Sequence, residues 1–173
     1  MVLSWLRSRP AQTRRRATFR PMLETLGERI NPTSPHFISA TSSVDGSGAL
    51  VVKFKEAGLG DNQLINYELT GNVNATFQFQ NNGGNIVQGT PFFAVDVTLA
   101  TGQFKSVKNG NITATLTSEA PSPNPADLKT INGNGWKQIL TVSYTNLVLT
   151  DTTNNLTINP PNASATIITP VPK

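Results

Sequence analysis

Acid–base chemistry in this chain would have to come from one histidine and a set of carboxylates. His36 is the single histidine, and the chain has no cysteine, which excludes thiol catalysis and thiolate metal ligands. A Ser-His-acid triad would need His36 as its base, yet no G-x-S-x-G sequence offers an activated serine. The sequence therefore predicts no catalytic residue, and it favours a surface or strand-start position for His36.

Paired carboxylates are the other route to hydrolysis, because glycosidases place two of them across the scissile bond. The candidates for such a pair after the N-terminal region are Glu56, Asp61, Glu68, Asp96, Glu119, Asp127 and Asp151. Glu68 and Asp96 occupy outward positions of alternating segments, whereas Glu56, Asp61 and Asp151 border turns. A convergence of these last three with Trp136 would favour an enzyme that acts on polysaccharides.

Two turn segments and one tryptophan supply the candidate ligand surface. Asp61 lies in GLGDNQ and Asp151 in LTDTTNN, and such oxygen-rich turns can hold calcium, but neither has EF-hand spacing. No cofactor is therefore predicted, with calcium as the open alternative. Trp136, Tyr67 and Phe92 are aromatic rings that could stack on carbohydrate, although a large aromatic such as Trp136 more often closes the end of a core. The hypothetical ligand surface consists of Trp136, Asp61 and Asp151.

These residues must be positioned by β-strands, because the apolar period from residue 36 onward is two. In LINYELTGNVNATFQFQ the residues from Ile65 to Phe79 are apolar or glycine at every odd position and polar between them, the pattern of a half-buried antiparallel strand. This run exceeds a usual strand, so Gly71 marks either a bend or bulge, or a tight connection between two strands. A change of parity between Tyr144 and Leu147 predicts a bulge near Asn146.

Further alternating segments and turns complete the expected fold. Asn109-Gly110 predicts a hairpin, residues 119–135 predict a long loop suited to recognition, and ASATIIT predicts an edge strand. About eight strands and no helix after residue 31 indicate an all-β, antiparallel β-sandwich, immunoglobulin-like or jelly-roll-like. This domain is expected to cover residues 35–169, with a tail at 170–173.

The positive charge is confined to the N-terminal arm. The first 30 residues carry all seven arginines against two glutamates, a net charge of +5, and the rest carries seven lysines against eight acids, a net charge of −1. Phosphate recognition favours the guanidinium group, which pairs with two phosphate oxygens at once. A nearly neutral body without arginine therefore predicts no nucleic-acid partner. No stretch approaches the roughly 18 apolar residues of a membrane span.

Residues 1–34 are expected to be a separate leader, disordered or marginally helical. RRRATF is followed there by RPMLETLGERINPTS. This sequence resembles the leader of exported proteins of planctomycete bacteria, in which an arginine-rich start precedes R-P-x-x-E-x-L-E-x-R-x-x-P-S. The matching residues are Arg20, Pro21, Leu23, Glu24, Leu26, Glu28, Arg29 and Pro32. Gly27 departs from the acidic residue of the family. The resemblance implies export and an extracellular or cell-envelope location.

The body resembles small exported bacterial β-sandwich proteins of unknown function. The similar pieces are VVKFKEAGLG, INYELTGNVNATFQFQNNGGN, GNITATLT and ILTVSYTNLVLTDTTN, within residues 49–153. With few catalytic groups, the chain is predicted to be a non-catalytic cell-surface or envelope protein, a binding or structural module for an envelope polymer or another surface protein. The alternative is a secreted polysaccharide-acting hydrolase or lyase that uses loop carboxylates. A subunit of a surface assembly would instead show an uncharged, unpaired edge strand.

Overall fold

The computed structural model describes residues 34–131 and 135–171, which form a sandwich of two antiparallel sheets. Its strands are β1 (His36–Val44), β2 (Leu50–Ala57), β3 (Leu64–Gln80), β4 (Ile86–Gln88), β5 (Phe92–Lys105), β6 (Ile112–Thr117), β7 (Lys137–Asp151), β8 (Leu156–Ile158) and β9 (Ala163–Pro170), with one helix, α1 (Pro125–Thr130). These strands confirm the predicted all-β, sandwich-like fold. The leader motif, from Arg20 to Pro32, lies outside the described residues.

The two sheets differ in the number and order of their strands. One sheet has three strands in the order β1-β2-β6. The other has β3 and β7 at its centre, with β4 and β5 following each other along the free side of β3, and β8 and β9 along the free side of β7. The wider sheet is therefore four strands across. The outer strands β5 and β6 contact each other across the two sheets, so their exposed sides lie on the same flank of the sandwich.

The core forms where the inward faces of both sheets meet. In β3 the odd-numbered side chains are buried and the even-numbered ones are more exposed, so the alternation of the sequence is also the alternation of burial. The buried apolar residues come from both sheets: Leu50, Val52, Phe54, Ile65, Tyr67, Leu69, Ala75, Phe77, Phe79, Ile112, Leu116, Leu140, Val142, Tyr144 and Leu149. Each large side chain removed from water stabilises the fold by about 1.5–3 kcal/mol.

Gly71 lies where the pairing of β3 with its neighbouring strands is irregular. β3 runs without a break through this residue, which excludes the alternative of two strands joined there. The pairing with β7 shifts register between Thr70 and Asn72, where Asn146 has a φ of 52° and adds the extra residue. The predicted bulge near Asn146 is therefore confirmed. A Cβ at Gly71 would lie 2.7 Å from Leu147 Cδ2, so the close approach of β7 requires glycine.

The hairpin predicted at Asn109-Gly110 is wrong. β5 pairs with β3 and β6 pairs with β2, so the turn carries the chain from one sheet to the other. Gly110 has a φ of 68°, and its carbonyl accepts a 3.0 Å hydrogen bond from the N–H of Leu59 in the β2–β3 loop. The Asn-Gly sequence indicates only that the chain turns here. It does not indicate that the strands before and after the turn pair with each other.

The absence of helix after residue 31 is also wrong, since α1 lies within the predicted long loop. Asn124 caps its first turn by accepting a 2.9 Å hydrogen bond from the N–H of Ala126, and Pro125 supplies a preset φ at the first helical position. The sequence gives little indication of this helix, because the segment is short and has no apolar period. Within the described ranges no helix is long and apolar enough to cross a bilayer.

The edge strand predicted at ASATIIT is confirmed as β9. It pairs with β7 from Ala163 to Pro170 without a register shift, and it carries no charged residue. Strand β8 pairs with the other end of β7.

Candidate functional site

Two carboxyl groups lie near each other in the core, one close to the end of β2 and the other at the end of β7. Glu56 and Asp151 are each 0% exposed. β3 carries Tyr67 between them: Tyr67 is the register partner of Asp151, and its hydroxyl donates a 2.7 Å hydrogen bond to Oε2 of Glu56. The structure thus brings together two of the acids that the sequence had placed at turns.

The environment of Glu56 favours its protonated form. Burial raises the pKa of Glu56 to about 7, and the negative charge of nearby Asp151 acts in the same direction, whereas the hydrogen bond from Tyr67 opposes the shift. Oε1 of Glu56 is buried without a hydrogen-bond partner among the described residues. Burial likewise raises the pKa of Tyr67, which stays a hydrogen-bond donor. His36 is exposed beside this cluster, at the register position of Ala57.

Asp151 has a structural reason to be buried. Its Oδ1 accepts hydrogen bonds from the N–H groups of Thr153 (2.8 Å) and Asn154 (3.0 Å), and Oδ2 accepts one from Asn154 Nδ2 (2.6 Å). These bonds close the turn from β7 to β8, the type of turn that aspartate side chains stabilise. Asp151 therefore closes a turn at the end of β7, and neither acid is exposed to solvent.

A groove opens on the flank of the sandwich between β5 and residues 117–122. Its volume is about 630 Å³, within the range of roughly 300–1,000 Å³ found for small-ligand sites. At one end the two sheets touch, because a Cβ at Gly102 would lie 2.6 Å from Leu116 Cδ2. The β5 residues that line the groove run from Thr101, next to that contact, to Phe92. We call it the flank groove.

The flank groove is lined by both apolar and polar side chains. Its floor is apolar, formed by Val73, Val97, Leu99 and Tyr144. Three lining hydroxyl groups, those of Thr98, Ser118 and Tyr144, donate to Glu68, Glu119 and Gly48. The hydroxyl groups of Thr101, Thr117 and Ser122 make no hydrogen bond to another described residue and can face a ligand. Glu119 is the one charged residue of the lining, which contains no lysine, arginine or histidine. Such a surface suits a ligand that is itself part apolar and part hydroxylated.

Hydrogen bonds hold residues 117–122 in place as a wall. Ser118 pairs with Leu50 at the start of β2: its N–H donates to the Leu50 carbonyl (2.9 Å) and its Oγ accepts from the Leu50 N–H (3.0 Å). The Ser118 hydroxyl in turn donates to the carbonyl of Glu119 (2.9 Å). Below them the Tyr144 hydroxyl donates to the Gly48 carbonyl (2.8 Å). The start of the wall is therefore anchored to β2 through Ser118, and preformed sites of this kind lower the entropy cost of binding.

The structure separates the residues of the hypothetical ligand surface. Trp136 immediately precedes β7 and Asp151 is its last residue, so the two lie at opposite ends of this 15-residue strand, roughly 50 Å of extended chain apart. Trp136 is half-buried against the core, and Asp61 is exposed in the turn between β2 and β3. Of the three aromatic candidates, Tyr67 is buried and Phe92 alone lines the flank groove, with 45% of its surface exposed.

The groove itself was not foreseen. Residues 119–122 belong to the predicted long loop, but nothing in the sequence shows that this segment faces β5. Only the strand order reveals it. For metals, the described residues contain no group of three or more His, Asp or Glu side chains that could hold an ion.

No protein-family model matches the chain, and no curated protein gives a significant match. Among solved structures, the crystal structure of a Bordetella pertussis protein assigned as ApaA is similar over 82% of this chain and 97% of that chain, at 10% sequence identity and a TM-score of 0.20. At this TM-score the two backbones do not superpose as one fold. The likeness therefore carries no argument about function.

Proposed function

We propose that this protein is a non-catalytic, exported binding module of the cell surface or envelope, and that its ligand occupies the flank groove. Export is supported by the resemblance of residues 1–34 to planctomycete leaders. The partner expected for such a module is an envelope polymer or another surface protein.

The flank groove is the single observation that carries the binding role. It combines an apolar floor with hydroxyl groups on both sides, at a volume of about 630 Å³. Recognition sites are typically concave, largely preformed and lined in this mixed way. It also involves part of the 119–135 segment, where the sequence predicted a recognition loop.

A polysaccharide-acting hydrolase or lyase is the second candidate, because Glu56 has a pKa of about 7 beside the acid Asp151. A protonated acid next to a carboxylate is the arrangement used in glycoside hydrolysis. Two observations favour binding over catalysis. Both acids are fully buried, and neither lines the flank groove or the shallower depression of about 530 Å³ beside Tyr67.

The binding role is tested by co-sedimentation of the full chain with purified envelope polymers from the source cells. Ala120 is exposed on the groove wall, so Ala120→Trp should fill the groove and reduce the bound fraction about tenfold without unfolding the protein. Ala126→Trp, at an exposed alanine of α1 outside the groove, is the matched control. Equal binding by wild type and Ala120→Trp would contradict the use of this groove.

Export and catalysis need separate measurements. Cell fractionation with N-terminal sequencing locates the protein, and an intact Met1 in the cytoplasm would contradict export. For catalysis, reducing-sugar release from the same polymers is expected to be absent. Activity that is lost in Glu56→Gln would establish the hydrolase instead.

A further inference from the structure

The position of Phe92 in β5 is unusual for an aromatic residue. Phe92 is the register partner of the buried Ala75, so its side chain lies on the core face of the sheet. Nevertheless 45% of its surface is exposed. The reason is that the narrower sheet does not extend over this end of β5, and the flank groove takes its place. A core-facing ring is thus left open to a ligand.

The neighbouring Phe93 provides an internal comparison. It pairs with Asn74, points to the outer face of the same sheet and is 67% exposed. Successive strand residues point to opposite faces, so only Phe92 can contribute to the groove. The two rings have the same chemistry and adjacent positions, but different surroundings.

The charges of the lining restrict the class of ligand. Without a lysine, arginine or histidine, and with Glu119 on one wall, the groove repels anionic polymers such as phosphate or uronate chains. The hydroxyl groups of Thr101, Thr117 and Ser122 instead match a neutral ligand that offers hydroxyl donors and acceptors. The apolar floor and the ring of Phe92 require the same ligand to have an apolar face. A sugar ring satisfies both demands, with hydroxyl groups at its rim and C–H bonds on its face.

An extended peptide fits the groove less well. Strand addition needs a regular edge, and β5 shifts register twice along the groove, once beside Asp96 and once at Leu99. Asp96 has a φ of 49°, which turns its backbone out of the ladder. Bulges of this kind interrupt edge pairing.

We propose that the flank groove binds a neutral oligosaccharide, with one sugar ring stacked on Phe92 and its hydroxyl groups hydrogen-bonded to residues 117–122. This inference rests on the proposed function, because it names the ligand class of the same groove.

The test is isothermal titration calorimetry of the full chain with neutral oligosaccharides of glucose, xylose, mannose and N-acetylglucosamine. Oligogalacturonate serves as the anionic probe and a mixture of neutral decapeptides as the peptide probe. At least one neutral oligosaccharide is expected to bind. Phe92→Ala should weaken its affinity about tenfold or more, Phe92→Tyr should retain it, and the matched control Phe93→Ala should change it less than about twofold.

Thermal unfolding of each variant checks that it is folded, and Ala120→Trp blocks the groove from the opposite wall should Phe92→Ala prove unstable. Equal affinity in wild type and Phe92→Ala overturns the inference. Binding to envelope polymers that only peptides or oligogalacturonate can displace also overturns it, but leaves the proposed function intact. No binding to any envelope polymer overturns both.

Discussion

The hydroxyl of Tyr67 donates a 2.7 Å hydrogen bond to Oε2 of Glu56, and both side chains are buried. Tyr67 also packs 4.6 Å from Phe54, between ring centroids, inside an aromatic group that includes Phe37 and Phe104. A buried acid is thus tied to the aromatic core by one bond. This bond links the stability of the sandwich to the protonation of Glu56.

Removal of the Tyr67 hydroxyl is expected to destabilise the protein in a pH-dependent way. Tyr67→Phe leaves a buried carboxyl group without its donor, at a cost of about 1–3 kcal/mol in the free energy of unfolding. The hydrogen bond lowers the pKa of Glu56 and so favours the charged form. The loss should therefore be larger near pH 8.5 than near pH 5, as measured by urea denaturation.

Tyr144→Phe is the matched control for that experiment. Tyr144 is as buried as Tyr67, but its hydroxyl donates to the carbonyl of Gly48, a group that does not titrate. Its loss should cost a similar free energy at both pH values. A cost for Tyr67→Phe that is independent of pH would contradict the role of the Glu56 charge.

The stability of the wild-type protein should fall as the pH rises from about 4.5 to about 7. The pKa of Glu56 is about 7 in the folded protein, raised by burial from 4.5. Over that interval the folded state keeps the proton that the unfolded state has lost, so unfolding becomes more favourable with pH. The full loss is at most about 3 kcal/mol. Above pH 7 this contribution no longer changes.

Glu56→Gln removes the titrating group while keeping an oxygen that can accept from Tyr67. The decline in unfolding free energy between pH 4.5 and pH 7 should become shallower in this variant, as followed by urea denaturation at several pH values. An unchanged slope would show that another group causes the decline.

Gly71→Ala is expected to destabilise the wide sheet by about 1–3 kcal/mol. The new Cβ would lie 2.7 Å from Leu147 Cδ2 and 3.1 Å from the carbonyl oxygen of Thr145, so β7 would have to move. Gly46→Ala is the control, because nothing lies within 4 Å of a Cβ at that position. Chemical denaturation should show no loss for Gly46→Ala. Equal stabilities of the two variants would mean that β7 can move away from Gly71 at no cost.

Deletion of residues 1–33 should leave the folding of the sandwich largely intact. In the part of the chain that the structure describes, the strands and the buried core lie within residues 36–170. The thermal midpoint of the truncated chain is expected to match that of the full chain. A chain that fails to fold after truncation would show that Met22, Leu26 and Ile30 belong to the core.

The alternation of β3 could be predicted residue by residue, because burial of one face dictates a period of two. The same argument located the bulge at Asn146, since an inserted residue is the only way to exchange the two faces of a strand that stays in its sheet. The hairpin at Asn109-Gly110 failed for the opposite reason. A turn sequence indicates that the chain reverses direction, but it does not indicate which strands then pair.

The candidate sites show the same division. Glu56 and Asp151 were recognised as acids at turns, but their pairing depends on β3, which brings Tyr67 between strands from different sheets. Trp136 and Asp151 looked like members of one surface, yet β7 holds them at its opposite ends. Phe92 was a possible stacking ring, and its exposure depends on how far the narrower sheet extends.

The sequence alone determined the all-β class, the polar and buried faces of β3, and the bulge in β7. These follow from local pattern, because each residue must either enter the core or face water. Only the tertiary structure decided which strands are neighbours, and with them the buried acid pair and the flank groove. Both sites join segments far apart in the chain, and their contacts arise from the packing of two sheets, which no local pattern encodes.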